Sequence, residues 1–251
     1  MEVSIKKRIR YSKAFEFFSI ILKTKYGMML SNDEAFFGKL FYNYGINTVF
    51  DIGANDGVKT RTFLKLGKKV ISVEPDPSLA SIIRYRNLKR NDKMAIVEEL
   101  AVGSENGEAE FETKVFSGYN TLSKKWSEHT LDQGIFTIKK IPVKLVVIEE
   151  LISKHGLPDY IKIDVEGLEL DVFKGLNQKI RIISFEANLP LFLQETMEIV
   201  QKIKNLCENP SFNYRIGANN GFALPKHLDS DSILAELENL GNTSVDVFVF
   251  M

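Results

Sequence analysis

The chain has 251 residues, with 33 lysines and arginines, 33 aspartates and glutamates, and a formal net charge of zero. A neutral chain disfavours nucleic-acid binding driven by bulk charge. Its single cysteine, Cys207, excludes an intrachain disulfide and a zinc site built from cysteines. No apolar run reaches the roughly 18 residues that a membrane-spanning helix needs, and Lys13 and Glu16 interrupt the N-terminal run. We therefore expect no secretory signal and a cytoplasmic protein.

The first part of the chain is basic. Residues 1–25 hold seven lysines and arginines against two glutamates, a net charge of +5. Ala14, Phe17, Phe18 and Ile21 fall at helical spacing and predict an amphipathic helix. Two interpretations are open: the helix lies on an anionic membrane surface, or it packs its aromatic face on the domain and leaves its lysines in water. We predict a helical extension over residues 1–45.

Short apolar segments alternate with helical segments from about residue 46 onward. Strands are predicted over residues 47–52, 69–74, 95–102, 160–164 and 180–186, and helices over 58–66, 79–88, 168–176 and 191–206. Near-continuous apolar strands separated by helices predict a parallel sheet that is covered on both faces. The last segments, strands over 212–216, 221–224 and 244–250 and a helix over 232–240, predict that the sheet ends in an antiparallel pair.

Residues 108–145 depart from this alternation. They contain two strand-like segments, 110–115 and 136–147, joined by a polar stretch that holds the only tryptophan, Trp126. We predict an inserted hairpin or loop within one domain that spans residues 46–251. The segment 118–123 and Trp126 form either a substrate-binding loop or a surface excursion whose aromatic side chains pack on the sheet.

A glycine turn follows the first predicted strand, in the order Asp51-Ile-Gly-Ala-Asn-Asp-Gly57. Ligands of open α/β sheets bind outside the carboxyl ends of the strands, and Gly53 and Gly57 let the backbone approach a ligand closely. The turn lacks the Gly-x-Gly-x-x-Gly spacing of a dinucleotide site, which disfavours an NAD enzyme. Asp51 is a poor neighbour for pyrophosphate and suits a cationic ligand without phosphates, such as S-adenosylmethionine.

Acidic side chains end the later strands. Glu74 closes the second strand 21 residues after Gly53, where a carboxylate accepts hydrogen bonds from ribose hydroxyls; the alternative is a solvated carboxylate at a strand end. Asp164 closes the fourth strand and Glu186 the fifth, with Asn188 beyond it. These three side chains are expected side by side on one rim, either holding Mg²⁺ or a similar cation or forming a metal-free hydrogen-bond network. Glu166 is predicted at the start of the next helix, where the helix dipole also favours a carboxylate.

In this combination the chain resembles the FkbM family of S-adenosylmethionine-dependent methyltransferases. The matching segments are Asp51-Ile-Gly-Ala-Asn-Asp-Gly57, Val73-Glu-Pro-Asp-Pro77, Leu100-Ala-Val-Gly103, Ile161-Lys-Ile-Asp-Val-Glu-Gly167 with Glu169 and Gly175, and Ser184-Phe-Glu186. The resemblance implies the Rossmann-like class I methyltransferase fold, with a seven-stranded, mostly parallel sheet and a terminal antiparallel pair. It also implies O-methylation of a hydroxyl group on a sugar, glycan or natural-product acceptor.

The resemblance implies a role for each matching residue. Asp51, Gly53, Asn55 and Gly57 would line the methionine part of the cofactor; Glu74 and Pro75 would lie at the ribose; Glu99, Leu100, Ala101 and Val102 would border the adenine; Asp164 would lie near the sulfonium. The chain departs from the family at Val147-Ile-Glu149, where a Thr-Leu-Asp-like element is frequent, and at Asn188, where the family often has a histidine.

The acceptor hydroxyl needs a proton acceptor in the transition state. We expect Asp164 or Glu186 to take that proton or to orient the hydroxyl, with Glu166 as the second choice. Two alternatives are open: a divalent metal held by Asp164, Glu186 and Asn188 assists the transfer, or the chain binds S-adenosylmethionine without catalysis. The oligomeric state is not predicted.

Overall fold

The computed structural model describes residues 13–88 and 95–251. Residues 1–12 of the predicted N-terminal extension, which carry four of the seven basic side chains of residues 1–25, lie outside the described residues.

Helices and strands alternate along most of the described chain. The helices are α1 (Lys13–Ile21), α2 (Lys25–Asn43), α3 (Val58–Lys65), α4 (Pro77–Leu88), α5 (Lys124–Asp132), α6 (Ile148–His155), α7 (Glu169–Lys174), α8 (Leu193–Leu206) and α9 (Ser230–Asn239), with a 3₁₀ turn over Ser117–Tyr119. The strands are β1 (Thr48–Ile52), β2 (Lys69–Val73), β3 (Ala95–Glu98), β4 (Ala101–Gly103), β5 (Gly107–Lys114), β6 (Thr137–Val147), β7 (Tyr160–Ile163), β8 (Ile182–Leu189), β9 (Ser211–Arg215) and β10 (Thr243–Phe250).

A central sheet of seven strands has the order β3-β2-β1-β7-β8-β10-β9. Its first five strands pair in parallel, whereas β10 runs antiparallel to both β8 and β9. The predicted fold class, a mostly parallel seven-stranded sheet with a terminal antiparallel pair, is confirmed. The strand order reverses between β1 and β7, and ligands of doubly wound folds bind beside that switch point.

The two faces of the central sheet differ because alternate residues of each strand point to opposite sides. One face is largely apolar and packs under α6 to α9. The other face is apolar around Tyr160 and Phe248, where α2 and α3 cover it. Toward the carboxyl ends of the parallel strands this second face becomes polar, through Asp51, Lys162, Ser184, Glu186, Asp246 and Arg215.

A smaller sheet of three strands, β4-β6-β5, stands beside the central one. The strand-like segments predicted at 110–115 and 136–147 are confirmed as β5 and β6, which pair antiparallel. The polar stretch between them forms the 3₁₀ turn and α5.

Two strand predictions are wrong. Residues 95–102 do not form one strand: β3 pairs with β2, the chain then bends at Glu99 and Leu100, and β4 pairs with β6 in the smaller sheet. The segment holds no glycine or proline to mark such a change of sheet, and its two glutamates, Glu98 and Glu99, stand at the bend. Residues 221–224 are irregular, because the Asn213 side chain takes the place of a strand partner: it donates to the carbonyl oxygen of Leu224 and accepts from the Leu224 N–H.

The helices α1 and α2 precede the first strand. Phe36, Phe37 and Phe41 of α2 pack on the sheet. Asp33 of the same helix is fully buried, with one carboxylate oxygen 2.8 Å from a guanidinium nitrogen of Arg215. Among the described helices, none combines the length and the apolar character needed to cross a bilayer. The division into an extension and a domain stays a prediction.

Candidate active site

The glycine turn lies at the carboxyl ends of β1, β2 and β7. The N–H groups of Gly53 and Ala54 both donate to the carbonyl oxygen of Val73, at 3.0 Å. Gly53 has φ +75°, and a Cβ at this position would lie 1.7 Å from the carbonyl oxygen of Asp164. A glycine is therefore required here for two reasons: the backbone is left-handed, and the backbone of Asp164 approaches closely.

Glu74 is tied to the same turn. Its carboxylate accepts hydrogen bonds from the N–H groups of Asn55, at 2.8 Å, and Asp76, at 2.9 Å. The side chain is almost completely buried, and this burial raises the pKa of Glu74 to about 8 because the two hydrogen bonds only partly offset the loss of water. Each carboxylate oxygen has a further lone pair for a ligand donor.

A cavity of about 590 Å³, which includes space open to solvent, lies against this turn. The predicted site residues that line it are Gly53, Asn55, Glu74, Pro75, Leu100, Ala101, Val102, Asp164 and Glu166. Its other lining residues include Ile52, Val73, Phe111, Leu122 and Leu168, which make much of the wall apolar. A cavity of this size and character suits a small organic ligand.

Three residues predicted to border the cofactor lie outside this lining. Asp51 is fully buried beneath the turn, where it accepts a hydrogen bond from the Thr60 hydroxyl at 2.6 Å. Gly57 starts α3, and a Cβ there would meet Ile83. Glu99 points to solvent and pairs with Arg84. The prediction treated each motif as one lining segment, whereas alternation and turn geometry aim only some of its residues at the cavity.

Lys162 is a buried cation that sequence reasoning left without a role. Its ammonium nitrogen lies 3.0 Å from a carboxylate oxygen of Asp164 and 3.6 Å from one of Asp51. Burial opposes its charge, but the two carboxylates outweigh burial and raise the pKa of Lys162 above its ordinary value. The signal was present in the sequence, since a lysine two residues before Asp164 in an apolar strand must share the face of that carboxylate.

A cluster of carboxylates lies at the end of the cavity beside Lys162. Asp164, Glu166 and Glu186 each place an oxygen within 4.8 Å of the others. Burial, together with the nearby Asp164 carboxylate, raises the pKa of Glu186 to about 8. Burial and the Glu186 carboxylate likewise raise the pKa of Glu166 well above its ordinary value. Such crowding of partly buried acids disfavours full ionisation and favours a proton or a cation.

The structure adds Glu166 to the residues expected at this rim. Asn188 lies beside Glu186 and donates its amide to it, at 2.9 Å, and Glu166 is the third carboxylate of the group. Glu166 does not start a helix, because α7 begins at Glu169; it sits in a tight turn with φ +54°. The buried Glu169 accepts from the N–H groups of Val165 and Gly167 and so holds this turn, and sequence reasoning did not assign it that role.

The inserted segment closes one side of the cavity. The Ser117 hydroxyl donates to the side-chain oxygen of Asn55 at 2.9 Å, and the Thr121 hydroxyl donates to the carbonyl oxygen of Glu166 at 2.7 Å. Asn120 and Leu122 of the predicted loop line the cavity. Trp126 lies outside that lining and is buried beside Phe192. The insertion therefore links the glycine turn to the turn that holds Glu166.

Comparison with known proteins gives matches to methyltransferases. The methyltransferase FkbM domain matches residues 51–240. The 2-O-methyltransferase NoeI of Sinorhizobium fredii (strain NBRC 101917 / NGR234) is 31% identical over 141 residues, with 51% of this chain and 56% of that protein covered. The chain thus spans about half the length of this curated relative.

Solved structures with a similar arrangement are more distant in sequence. The O-methyltransferase from Bacillus cereus in complex with SAH is 13% identical, with a TM-score of 0.42 and coverage of 87% of this chain and 80% of that chain. The plantazolicin methyltransferase BpumL, in complex with an analogue and SAH, is 10% identical, with a TM-score of 0.46 and coverage of 98% and 93%. Because the methyltransferase FkbM domain matches most of its length, this chain belongs to the FkbM methyltransferase family.

Proposed function

We propose that this methyltransferase transfers the methyl group to a hydroxyl oxygen of a sugar, glycan or natural-product acceptor. The observation that carries the proposal is the cluster of Asp164, Glu166 and Glu186 beside the cavity. A neutral hydroxyl is a weak nucleophile and gains from a positioned proton acceptor, and this group, in which the pKa of Glu166 and of Glu186 is raised, provides one. The name of the relative NoeI, a 2-O-methyltransferase, supports oxygen as the acceptor atom.

The residues around the cavity fit S-adenosylmethionine, which supplies a methyl group on a positively charged sulfur. Glu74 keeps lone pairs for two ribose hydroxyls after accepting from the backbone. Leu100, Ala101 and Val102 offer an apolar wall for adenine. Asp164 faces the same cavity and offers negative charge to the sulfonium.

The reaction is an in-line displacement. The acceptor oxygen bonds to the methyl carbon, the carbon–sulfur bond breaks with its electron pair going to sulfur, and the hydroxyl proton goes to a carboxylate. Asp164 and Glu186 are our candidates for that carboxylate, with Glu166 next. The pKa of Glu186, raised to about 8, lies close to a neutral working pH, where a general base is most effective. The cavity walls orient the reacting groups and limit access of water.

A metal-assisted transfer is the competing candidate. Three carboxylates within 4.8 Å offer the oxygen ligands that hard divalent cations prefer. A cation there would replace Glu186 as the group that stabilises the deprotonated acceptor. The two candidates differ in their response to chelation, which the experiment below includes.

The test has two stages. Calorimetric titration with S-adenosylhomocysteine first establishes the cofactor site, with and without EDTA or Mg²⁺. Turnover of S-adenosylmethionine is then measured with monosaccharides, oligosaccharides and phenolic or polyol natural products as acceptors. We expect a methyl ether product, and we expect Asp164→Asn or Glu186→Gln to slow its formation by roughly 10² to 10⁴-fold while the fold is kept.

Asp231→Asn is the matched control, since this aspartate is largely exposed on α9. Methylation of nitrogen or carbon acceptors only, or full activity of both cluster variants, contradicts the proposal. Activity that EDTA abolishes and Mg²⁺ restores favours the metal-assisted candidate.

We also propose the domain division of the chain. Residues 46–251 form the methyltransferase domain, with the insertion at 108–145, and residues 1–45 form a helical extension. The packing of Phe36, Phe37 and Phe41 on the sheet supports an extension that is seated on the domain rather than tethered to it.

A further inference from the structure

The orientation of α1 is the reverse of that expected for a helix at the surface of a globular domain. Among the residues of α1 whose burial the structure describes, the buried ones are polar: Glu16 is 3% exposed and pairs with Arg61 of α3, and Ser19 is 5% exposed. Its apolar side chains face outward, with Phe18 at 59% exposure and Ile21 at 57%. The interpretation that the aromatic face of this helix packs on the domain is therefore wrong for Phe18.

The contact between α1 and α2 fixes this orientation. The N–H and hydroxyl groups of Thr24 both donate to the carbonyl oxygen of Ser19. Gly27 of α2 lies so close to that carbonyl that a Cβ there would stand 2.0 Å from it. A rotation of α1 that buried Phe18 and Ile21 would break these contacts and expose the Glu16–Arg61 pair.

The exposed apolar side chains of this region lie on α1, on the turn that follows it and on the first turn of α2. Phe15, Phe18, Ile21 and Leu22 recur at helical spacing on α1 and its end, and Leu22 is 71% exposed. Met28, in the first turn of α2, is half exposed. Several exposed apolar side chains of this size on one helix and its end indicate a surface that a binding partner covers.

The charge of the neighbouring residues indicates what kind of partner covers these side chains. Lys23 and Lys25 are exposed directly beside Leu22, and residues 1–25 carry a net charge of +5 in a chain that is neutral as a whole. Apolar side chains combined with lysines and arginines are typical of helices that lie in the plane of an anionic bilayer. An apolar interface between two copies of the chain would have to bring this excess of positive charge together.

We propose that the patch of Phe15, Phe18, Ile21, Leu22 and Met28, with its flanking lysines, docks the protein onto an anionic lipid surface. The apolar side chains enter the headgroup boundary and the lysines meet lipid phosphates. The matched FkbM domain starts at residue 51, so this surface lies outside it. The inference is independent of the acceptor of the methyl group.

The test is co-sedimentation of the full chain with vesicles of phosphatidylcholine alone and of phosphatidylcholine and phosphatidylglycerol in equal parts. We expect binding to the anionic vesicles only. Ile21→Glu combined with Leu22→Glu should weaken it by at least roughly ten-fold, because two apolar contacts are lost and two negative charges are added. Lys23→Gln combined with Lys25→Gln should weaken it by roughly 25-fold, taking about five-fold for each basic residue.

Ile138→Glu combined with Leu157→Glu is the matched control, since these two side chains are similarly exposed elsewhere. This control should bind vesicles nearly as the unmodified chain does, and all variants should bind S-adenosylhomocysteine equally, which verifies their fold. The proposal is overturned by absence of binding to anionic vesicles, by equal losses in the control and the α1 variant, or by equal binding to both vesicle types. Self-association that Ile21→Glu with Leu22→Glu abolishes, without vesicle binding, assigns the patch to a second copy.

Discussion

Asp33→Ala should be among the most destabilising single substitutions in the described chain. The Asp33 carboxylate lies 2.8 Å from Arg215 and 2.6 Å from the ammonium of Lys59. Asp33 and Arg215 are fully buried, so neither charge has water as an alternative partner. Without Asp33 the guanidinium keeps the carbonyl oxygen of Asn219 and its contact with the Phe36 ring, 4.4 Å away, but loses its ion pair.

Removal of one partner from a buried ion pair typically costs about 3 to 5 kcal/mol, because the other charge stays buried and uncompensated. Loss of the ion pair with Lys59 adds less to the free-energy cost, since the Lys59 side chain is a quarter exposed and water can replace the carboxylate. For a chain of this length such a loss lowers the melting temperature by roughly 6 to 20 °C.

Urea unfolding at neutral pH, followed by circular dichroism, measures the effect. Glu34→Ala is the matched control: Glu34 is the next residue on the same helix and pairs with Lys65, but both partners are about one third exposed, so we expect about 0 to 1 kcal/mol. Asp33→Leu combined with Arg215→Met should recover most of the loss, because it removes both charges. Equal effects of Asp33→Ala and Glu34→Ala would refute the reasoning.

The remaining predictions concern the cofactor cavity. Glu74→Ala should weaken S-adenosylhomocysteine by about 1.5 to 3 kcal/mol in calorimetry, the range for hydrogen bonds to a charged group; unchanged affinity would remove Glu74 from the site. Because only ionised Glu74 accepts freely from ribose hydroxyls, and its pKa is raised to about 8, the affinity of the unmodified chain should rise up to about ten-fold per pH unit below that pKa. A flat pH profile would contradict this linkage. Gly53→Ala should abolish binding of S-adenosylhomocysteine, whereas Gly67→Ala should not. Both glycines have φ near +75°, but of the two only Gly53 has other backbone, that of Asp164, within reach of a Cβ. Similar binding by the two variants would show that the approach of Asp164 is not limiting.

The part of the site that follows from strand ends could be predicted from the sequence. Gly53, Glu74 and Asp164 directly follow β1, β2 and β7, and the carboxyl ends of parallel strands meet at one edge of a sheet. Glu186 lies inside β8, directly after the last residue that pairs with β7. Hydrophobic periodicity also predicts the order of the main elements, because β1, β2, β7, β8 and β9 are buried along most of their length.

The rest depends on contacts between residues that are distant in the chain, which no local pattern encodes. The Thr121 hydroxyl reaches the carbonyl oxygen of Glu166 only because the insertion folds back over the cavity. The buried pairing of Asp33 with Arg215 joins the first long helix to an edge strand. The bend at Glu99 likewise follows from pairing of β4 with β6, since residues 95–102 contain no turn signal of their own.

Ionisation of the carboxylates in and near the site couples the stability of the fold to ligand binding. Burial raises the pKa of Glu74 and Glu186 to about 8 and that of Glu169 to about 7. For each of these acids, the folded state binds the proton more tightly than the unfolded state does. Its contribution to the stability of the fold is therefore complete below the ordinary pKa near 4.5 and is lost as the pH rises through about 7 to 8. Near neutral pH the empty cavity therefore holds acids whose ionisation opposes folding. A sulfonium in the cavity favours the ionised forms and offsets that opposition. The uncharged thioether of the product lacks this attraction, so we expect Asp164, the carboxylate proposed to lie near the sulfur, to favour S-adenosylmethionine over the product.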